Sequence, residues 1–446
     1  MKRIGILLMC GCIVATVAAQ PKTVDDCIAL ATEHSTSLKV AGEAANIARN
    51  TRSQSISNYF PHIGVVGSYQ WNQKNLELID YGSMMYGMLI PAEIRHLTRI
   101  DIQNVMVADV ALVQPVFLGG KLVALNKMAD YGQTIAENNV KAMHDNVSLL
   151  TQENYWLVVS LAKKRELAHS MVELLTQTQT NVRHMIDEGV ATPADLLNVE
   201  VRLNEVQLAE SKIEQGLTMA KFNLMQLCGI DLNDTIMLAD ETSDTITLQT
   251  NGNLIATLDT ANLYTNRTDI ANLELSKKIT KKQETIVRSS LLPNVLVNAN
   301  YLVSNPNLYK GFDNSFGGMF NVGVSVTVPI TEWIGGSYRL NSAKANTRIK
   351  DLEIQEAKDK AQLELKQATF QYSQANNTLA VAATNKSIAD VNLRAAKLQF
   401  EEGLCSPLAL MEAQTAWLKA HTEYIDAQID VHISELALQK VSGQVK

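Results

Sequence analysis

The sequence predicts a mostly helical fold with long antiparallel helical hairpins and four membrane-type β-strands per chain. Apolar residues recur at alternating steps of three and four over stretches far longer than a globular helix. Four segments alternate between apolar and polar side chains, as the strands of outer-membrane barrels do. The segment "GVATPADLL" at 189–197 is echoed by "GLCSPLALM" at 403–411, so the chain of 446 residues contains an internal repeat.

The N-terminal segment predicts a secretory signal peptide over residues 1–19. Two basic residues precede an apolar run from Ile4 to Val17, and a small-residue cleavage site ends at Ala19. The run is too short to indicate a membrane-spanning helix. Cys12 leaves a lipidated N-terminus open as an alternative. We favour it less because Met-Cys-Gly precedes Cys12 and an apolar stretch would remain on the mature protein.

Composition and motifs exclude several classes of function. The formal net charge is −7, and no basic run of the kind that binds nucleic acids occurs. The eight histidines are scattered, and no metalloprotease, nucleophile-elbow or phosphate-binding motif occurs. Cys27, Cys228 and Cys405 are odd in number and widely spaced, which predicts neither a disulfide framework nor a metal site. We therefore expect neither an enzyme nor a cofactor.

The chain is predicted to divide into two repeats, residues 20–228 and 259–446, joined by a polar linker at 229–258. A helix predicted from Lys121 to Glu188 would be about 100 Å long at a rise of 1.5 Å per residue. In the second repeat, apolar seams predict one antiparallel helical hairpin over 337–442. Helices of this length occur in fibrous coiled coils, an alternative that the helices alone leave open.

Each repeat also carries a pair of predicted strands ahead of its helical hairpin. Pro61 and Pro293 end the helices that lead into the pairs, while Gly119-Gly120 and Gly335-Gly336 mark the return to helix. The strands are predicted at 62–71, 104–117, 294–304 and 320–329. These paired amphipathic strands argue against a purely fibrous protein.

The two hairpin turns share a helix stop and a helix start. Gly189 and Gly403 favour the left-handed conformation that ends a helix. Thr192 and Ser406 are N-cap residues, each followed by proline at the first helical position. Asp195 is placed to complete a capping box with Thr192.

The strand count predicts an oligomer. No sheet edge can stay open in lipid, and the smallest closed membrane barrels have about eight strands. Four strands cannot close a barrel alone, so copies of the chain must pool their strands. Three copies would supply a barrel of about twelve strands, within the range that such barrels span.

This ordered set of elements resembles the TolC family, the outer-membrane channel proteins of Gram-negative efflux and secretion systems. "TVDDCIALATEHSTSLKVAG" at 23–42 resembles the family's opening helix, and "NRTDIANLE" at 266–274 resembles the segment that opens its second half. The resemblance implies a homotrimer with a twelve-stranded barrel in the outer-membrane lipid. The helical hairpins would form a second, helical barrel (α-barrel) through the periplasm.

The resemblance also implies a passive exit duct of a tripartite efflux system. Its partners would be a periplasmic adaptor (membrane fusion) protein and an inner-membrane pump. Efflux of small molecules is favoured, and type I protein secretion stays open as an alternative. The alternative from another class is a secreted coiled-coil structural or adhesin protein, which would have one parallel seam and no paired amphipathic strands.

By the same resemblance, the pore aperture would involve five residues near the two turns. Glu412 matches a family position that forms an acidic ring, whereas Ala409 stands where a second ring would be. Asp195 matches the acceptor of the bonds that hold the family's closed state, but Phe400 and Cys405 replace the donors. Helix capping by Asp195 and a solvated first-turn carboxylate at Glu412 stay open as alternatives.

The turn residues are further candidates, for docking the adaptor. An alternative is that they serve the turns alone. The residues are Gly189, Val190, Ala191, Thr192, Gly403, Leu404 and Ser406. A separate cluster of Met84, Met85 and Met88 could bind a soft cation such as Cu(I) or Ag(I). Packing of an irregular loop is the favoured explanation, because flexible methionine side chains commonly fill such gaps.

Overall fold

The computed structural model describes residues 21–86, 89–91, 93–94, 98–241 and 260–443. The predicted signal peptide at 1–19, Met88 and the linker residues 242–258 lie outside them. Within the described residues the chain forms two compact units. Unit one comes from the described residues within Met1–Gly42, Asn138–Ala271 and Glu356–Lys446, and unit two from those within Glu43–Glu137 and Asn272–Gln355.

Helices dominate the described chain. They are α1 (Val24–His34), α2 (Thr36–Ser57), α3 (Lys121–Asp187), α4 (Pro193–Cys228), α5 (Thr260–Asn266), α6 (Thr268–Ser289), α7 (Glu332–Glu401) and α8 (Pro407–Ser442). The predicted pairs of long helices, α3 with α4 and α7 with α8, are confirmed. Among the described helices, none combines the length and apolar character that crossing a membrane requires.

The four predicted strands are confirmed in unit two. They are β1 (His62–Trp71), β4 (Asn104–Phe117), β5 (Asn294–Asn305) and β6 (Gly317–Thr327). Two short strands, β2 (Leu76–Glu77) and β3 (Arg99–Ile100), lie between β1 and β4. The four long ones form one antiparallel sheet in the order β1-β4-β5-β6, and the short β2 and β3 pair with each other. The contact between β4 and β5 therefore joins a strand of the first repeat to one of the second.

The sheet has one continuous apolar face. Tyr69 pairs with Met106, and Tyr301 pairs with both Val110 and Phe320, so apolar side chains follow one another across all four strands. Val65 is 73% exposed and Phe320 is 64% exposed. Within the described residues β1 and β6 each have one neighbour, so both edges of the sheet are open.

One sequence expectation for unit two was wrong. Gly335-Gly336 do not precede the second long helix, because α7 already begins at Glu332. Close packing explains the second of the two glycines better than a turn does. A Cβ on Gly336 would lie 2.2 Å from Cδ2 of Leu291, which is closer than atoms can approach.

Unit one is held together by apolar clusters between α1, α3, α4 and α8. The largest contains Tyr155 and Trp156 of α3, Leu224 of α4 and Ile429 of α8. The Trp156 ring stacks on His432 of α8, with ring centroids 3.9 Å apart. Burial lowers the pKa of His432 to about 4, because it disfavours the charged imidazolium. The helical hairpins of both repeats therefore share a core.

Candidate functional site: the two hairpin turns

The first turn, residues 188–192, is built from backbone hydrogen bonds around one glycine. Gly189 has φ +79°, a left-handed conformation that other residues adopt only with strain. The N–H of Val190 donates to the carbonyl of Met185 at 2.8 Å, and the N–H of Gly189 donates to that of Ile186 at 2.9 Å. These bonds satisfy carbonyls that the end of α3 would otherwise leave unpaired.

A capping box then starts α4. The Thr192 hydroxyl accepts a hydrogen bond from the N–H of Asp195 at 3.3 Å. In return, Oδ2 of Asp195 accepts from the Thr192 N–H at 2.9 Å and from its hydroxyl at 2.7 Å. The side-chain and backbone hydrogen bonds from Thr192 hold the pKa of Asp195 below its ordinary value of 3.8. Asp195 is thus engaged within its own turn.

The second turn, residues 402–406, repeats the backbone but not the carboxylate. Gly403 has φ +70°, and the Leu404 N–H donates to the carbonyl of Gln399 at 2.7 Å. The hydroxyl of Ser406 accepts from the N–H of Ala409 at 3.3 Å. Because Ala409 has no acceptor to offer in return, this cap consists of one bond.

The two turns meet in a shared apolar cluster, which we call the turn cluster. Its buried members are Val182, Val199, Phe400, Leu410 and Met411. Partly buried side chains of both hairpins pack against them, including Ala191 and Cys405. The two turns of one chain therefore pack against each other. The apolar pattern of each helix in the sequence does not reveal this contact.

A buried polar contact lies beside the turn cluster. The side-chain amide of Gln414 on α8 donates to the hydroxyl of Thr178 on α3 at 2.9 Å. Gln414 is fully buried and Thr178 is 3% exposed. The Thr178 hydroxyl in turn donates to the carbonyl of Leu174 at 2.9 Å, so the bond ties the second hairpin to the backbone of the first.

A second polar cluster holds the two helices of the second hairpin together. Oδ1 of Asp390 on α7 accepts from the indole N–H of Trp417 at 2.7 Å and lies 2.8 Å from Nε2 of His421, both on α8. Burial acts to raise the pKa of Asp390, but the bonds to His421 and Trp417 outweigh it and hold that pKa below the ordinary value. Trp417 and His421 are four residues apart and so lie on the same face of a helix, and this spacing is the sequence signal from which the polar cluster could have been inferred.

The remaining candidate residues divide into exposed and buried sets. Gly189, Val190, Thr192, Gly403, Leu404, Ser406, Ala409 and Glu412 are exposed. Among them, Val190 and Leu404 place large apolar side chains in solvent, at 68% and 77% exposure. Phe400, by contrast, is only 4% exposed inside the turn cluster, and Ala191, Asp195 and Cys405 are half-buried.

Glu412 stands apart from the other carboxylates of this region. Within the part of the chain that the structure describes, its side chain has no ion-pair or hydrogen-bond partner, whereas Asp195 and Asp390 are both engaged. Asn198 occupies the matching place in the first turn, at the same distance from the helix-initiating proline, and is also exposed. The two turns therefore present different side chains at equivalent exposed positions.

The described residues show no group of three or more histidine, cysteine, aspartate or glutamate side chains that could hold a metal ion. Met84 and Met85 lie in the segment between β2 and β3 and are exposed. The third methionine of that cluster, Met88, is outside the described residues.

Comparison with known proteins gives one family match. The model of the outer membrane efflux protein family matches residues 27–230 and 261–444. No curated protein sequence matches the chain.

Solved structures share the fold at low sequence identity. VceC from Vibrio cholerae is 17% identical, with a TM-score of 0.75 and coverage of 94% of this chain and 96% of that one. The CmeC outer membrane channel of Campylobacter jejuni is 16% identical, with a TM-score of 0.77 and coverage of 95% and 86%. The open state of the MtrE outer membrane channel of Neisseria gonorrhoeae is 16% identical, with a TM-score of 0.74 and coverage of 95% and 89%.

Proposed function

Because the chain belongs to the outer membrane efflux protein family, we propose that three copies form the passive exit duct of a tripartite efflux pump. The duct would carry small molecules out of a Gram-negative cell, together with a periplasmic adaptor and an inner-membrane pump. The proposal includes export by the signal peptide at 1–19 and repeats at 20–228 and 259–446 joined by the linker at 229–258. The family match across both repeats is the observation that carries it.

The sheet of unit two supports the trimer. Its apolar face is exposed in the single chain, and exposed apolar area of this extent is stable only against lipid or another protein. Its open edges, β1 and β6, offer unpaired backbone groups on both sides. Joining β6 of one copy to β1 of the next would satisfy both edges, and three copies would give a sheet of about twelve strands, a size found among closed membrane barrels.

The turns would form the periplasmic entrance of the duct. Three copies would bring three Glu412 carboxylates to one ring, and such a ring attracts cations and disfavours anions. Glu412 suits this role because it is exposed and has no partner among the described residues, whereas the Asp195 carboxylate is engaged in its capping box. The exposed apolar side chains of Val190 and Leu404 would meet the adaptor.

The first experiment measures native mass and single-channel conductance of protein extracted from outer membranes in detergent. We expect a trimer that forms cation-preferring pores in planar lipid bilayers. Glu412→Gln should move the cation-to-anion permeability ratio towards unity, because it removes the ring's charge. Asn198→Glu is the matched variant and should raise the ratio, because it adds a carboxylate at the equivalent place in the first turn.

Three results would count against the proposal at different levels. A monomer, or a trimer without conductance in any condition, would contradict the duct itself. Conducting trimers with an unchanged permeability ratio in Glu412→Gln would leave the duct standing and remove Glu412 from its aperture. Loss of protein export from cells lacking the gene, with drug sensitivity unchanged, would favour type I protein secretion over small-molecule efflux.

A further inference from the structure

Two cysteines that lie far apart in the sequence meet in the folded chain. Cys27 lies in α1, and Cys228 is the last residue of α4, 201 positions later. Both side chains are fully buried. Sγ of Cys228 lies 3.6 Å from the carbonyl oxygen of Cys27, and both side chains belong to the same buried apolar cluster.

The backbone on both sides of this thiol pair is fixed by other contacts. The N–H of Lys22 donates to the carbonyl of Met237 at 2.8 Å, and the N–H of Ala239 donates to the carbonyl of Lys22 at 2.9 Å. Beyond α1, His34 packs so closely on Gly229 that a Cβ there would lie 2.5 Å from the His34 ring. The segment from Lys22 to His34 is therefore fixed against the end of α4 and the residues that follow it, which holds Cys27 beside Cys228.

We propose that Cys27 and Cys228 form a disulfide bond in the exported protein. The proposal rests on the outer-membrane location in the proposed function, because export places the chain in an oxidising compartment, where disulfides form and persist. The proposal is carried by the burial of both side chains in one cluster, the 3.6 Å approach of Cys228 Sγ to the Cys27 carbonyl and the fixed backbone around them.

The reaction is a thiol–disulfide exchange with a protein or small-molecule disulfide as the oxidant. The thiolate of one cysteine attacks the oxidant and forms a mixed disulfide, releasing one thiol of the oxidant. The second cysteine then attacks its partner's sulfur and releases the other thiol. The chain loses two protons and two electrons, the sulfur–sulfur bond forms, and the oxidant's disulfide is reduced to two thiols.

The order of events follows from burial. The interaction between the two side chains raises the pKa of Cys27 and lowers that of Cys228, so Cys228 is the member of the pair that ionises more readily. Neither sulfur is accessible to an oxidant once α1 has docked. The bond must therefore form before or during docking, and afterwards it is shielded from reductants in solution.

The bond would anchor the first helix of the mature chain. It closes a loop of about two hundred residues, and long closed loops restrict the unfolded chain most. Cys405, in the turn cluster, is left as a free thiol, which accounts for the odd number of cysteines.

The test measures whether each cysteine is free or disulfide-bonded in the full-length chain, expressed with its signal peptide. Outer membranes are dissolved in denaturant with N-ethylmaleimide, with and without prior reduction, and the peptides bearing Cys27, Cys228 and Cys405 are measured by mass spectrometry. We expect complete loss of labelling at Cys27 and Cys228 without reduction, a linked pair of peptides, and full labelling after reduction. Cys405 should be labelled in both samples, and its label should vanish in the control Cys405→Ser.

A second arm separates this inference from the proposed function. The purified chain is refolded with glutathione disulfide and labelled in the same way. This measures whether Cys27 and Cys228 form a disulfide independently of where the chain resides in the cell. Linked Cys27 and Cys228 peptides support the bond even if the chain is absent from outer membranes, a result that would sink only the proposed duct. Free thiols at both positions, in the membrane sample or after refolding, would overturn the disulfide. The folded, oxidised chain should also resist a thiol reductant that opens the bond at once in denaturant.

Discussion

The two hairpin turns have the same backbone but are stabilised differently. Each ends a helix with a left-handed glycine and starts the next with a hydroxyl cap and a proline. The first turn adds a carboxylate, Asp195, whose bonds close a capping box. The second turn has a single cap bond but supplies three of the five buried members of the turn cluster. The glycine and proline thus follow from helix termination, which both turns need, while the first turn has more cap bonds and the second contributes more of the buried cluster.

Alanine substitutions in the turn cluster should show the largest difference between the turns in the free energy of unfolding. Phe400→Ala removes a 4% exposed aromatic side chain and should cost about 3–5 kcal/mol of the free energy of unfolding, because it leaves a cavity. Val199→Ala, on the side of the first turn, removes two methyl groups and should cost about 2 kcal/mol. Guanidinium unfolding of detergent-purified protein, followed by far-UV circular dichroism, measures both.

The exposed Leu404 supplies the control. Leu404→Ala should change the free energy of unfolding by less than about 0.5 kcal/mol, since its side chain is in solvent. Equal costs for Phe400→Ala and Val199→Ala would mean that packing does not favour the second turn, and the comparison would fail on that point.

The contact between the hairpins is expected to have the next largest effect. Gln414→Ala should cost about 1–3 kcal/mol because it removes a buried side chain that donates to Thr178. Thr178→Val should cost about 1 kcal/mol. A double-mutant cycle on the two changes should give a coupling free energy of about 1 kcal/mol. A coupling of zero would show that this hydrogen bond does not help to hold the two hairpins together.

Local elements were predictable from the sequence, and long-range contacts were not. Period-two alternation located all four strands of the sheet, and Gly189 with Pro193 located the first turn to within a residue. Such signals act between neighbours in sequence, where a single residue type decides the outcome. The pairing of Gln414 with Thr178 spans 236 positions, and nothing in either seam distinguishes those two side chains from their solvent-facing neighbours. The contact between Cys27 and Cys228 spans 201 positions and is hidden from sequence reasoning for the same reason.

Removing the N-cap hydroxyl of either turn should have a smaller effect on stability, and the effect should differ between the two turns. Thr192→Ala and Ser406→Ala should each cost about 1 kcal/mol of the free energy of unfolding. The larger loss should belong to Thr192, since its removal breaks two side-chain bonds of the box, whereas Ser406 makes one. Adding Ala409→Asp should restore symmetry by giving the second turn a carboxylate at the position of Asp195. If Ser406→Ala proves the costlier variant, polar bonds do not distinguish the first turn.

Acid should produce the smallest and most selective effect. The folded pKa of Asp195 lies below its ordinary value of 3.8, so the unfolded chain binds this proton more readily than the folded chain does. The capping box therefore contributes fully above that value, and its contribution is lost as the pH falls through the lower, folded pKa. Hydrogen exchange by mass spectrometry, normalised to the rates of unstructured peptides at each pH, should show protection falling at 193–198 but not at 407–412.

The variant Ala409→Asp turns this difference into a direct test. It places a carboxylate where the second turn has none, so the amides at 407–412 should acquire the same loss of protection in acid as those at 193–198. Parallel loss at both turns in the unsubstituted chain would contradict this role of the capping box, because the cap of the second turn has no carboxylate.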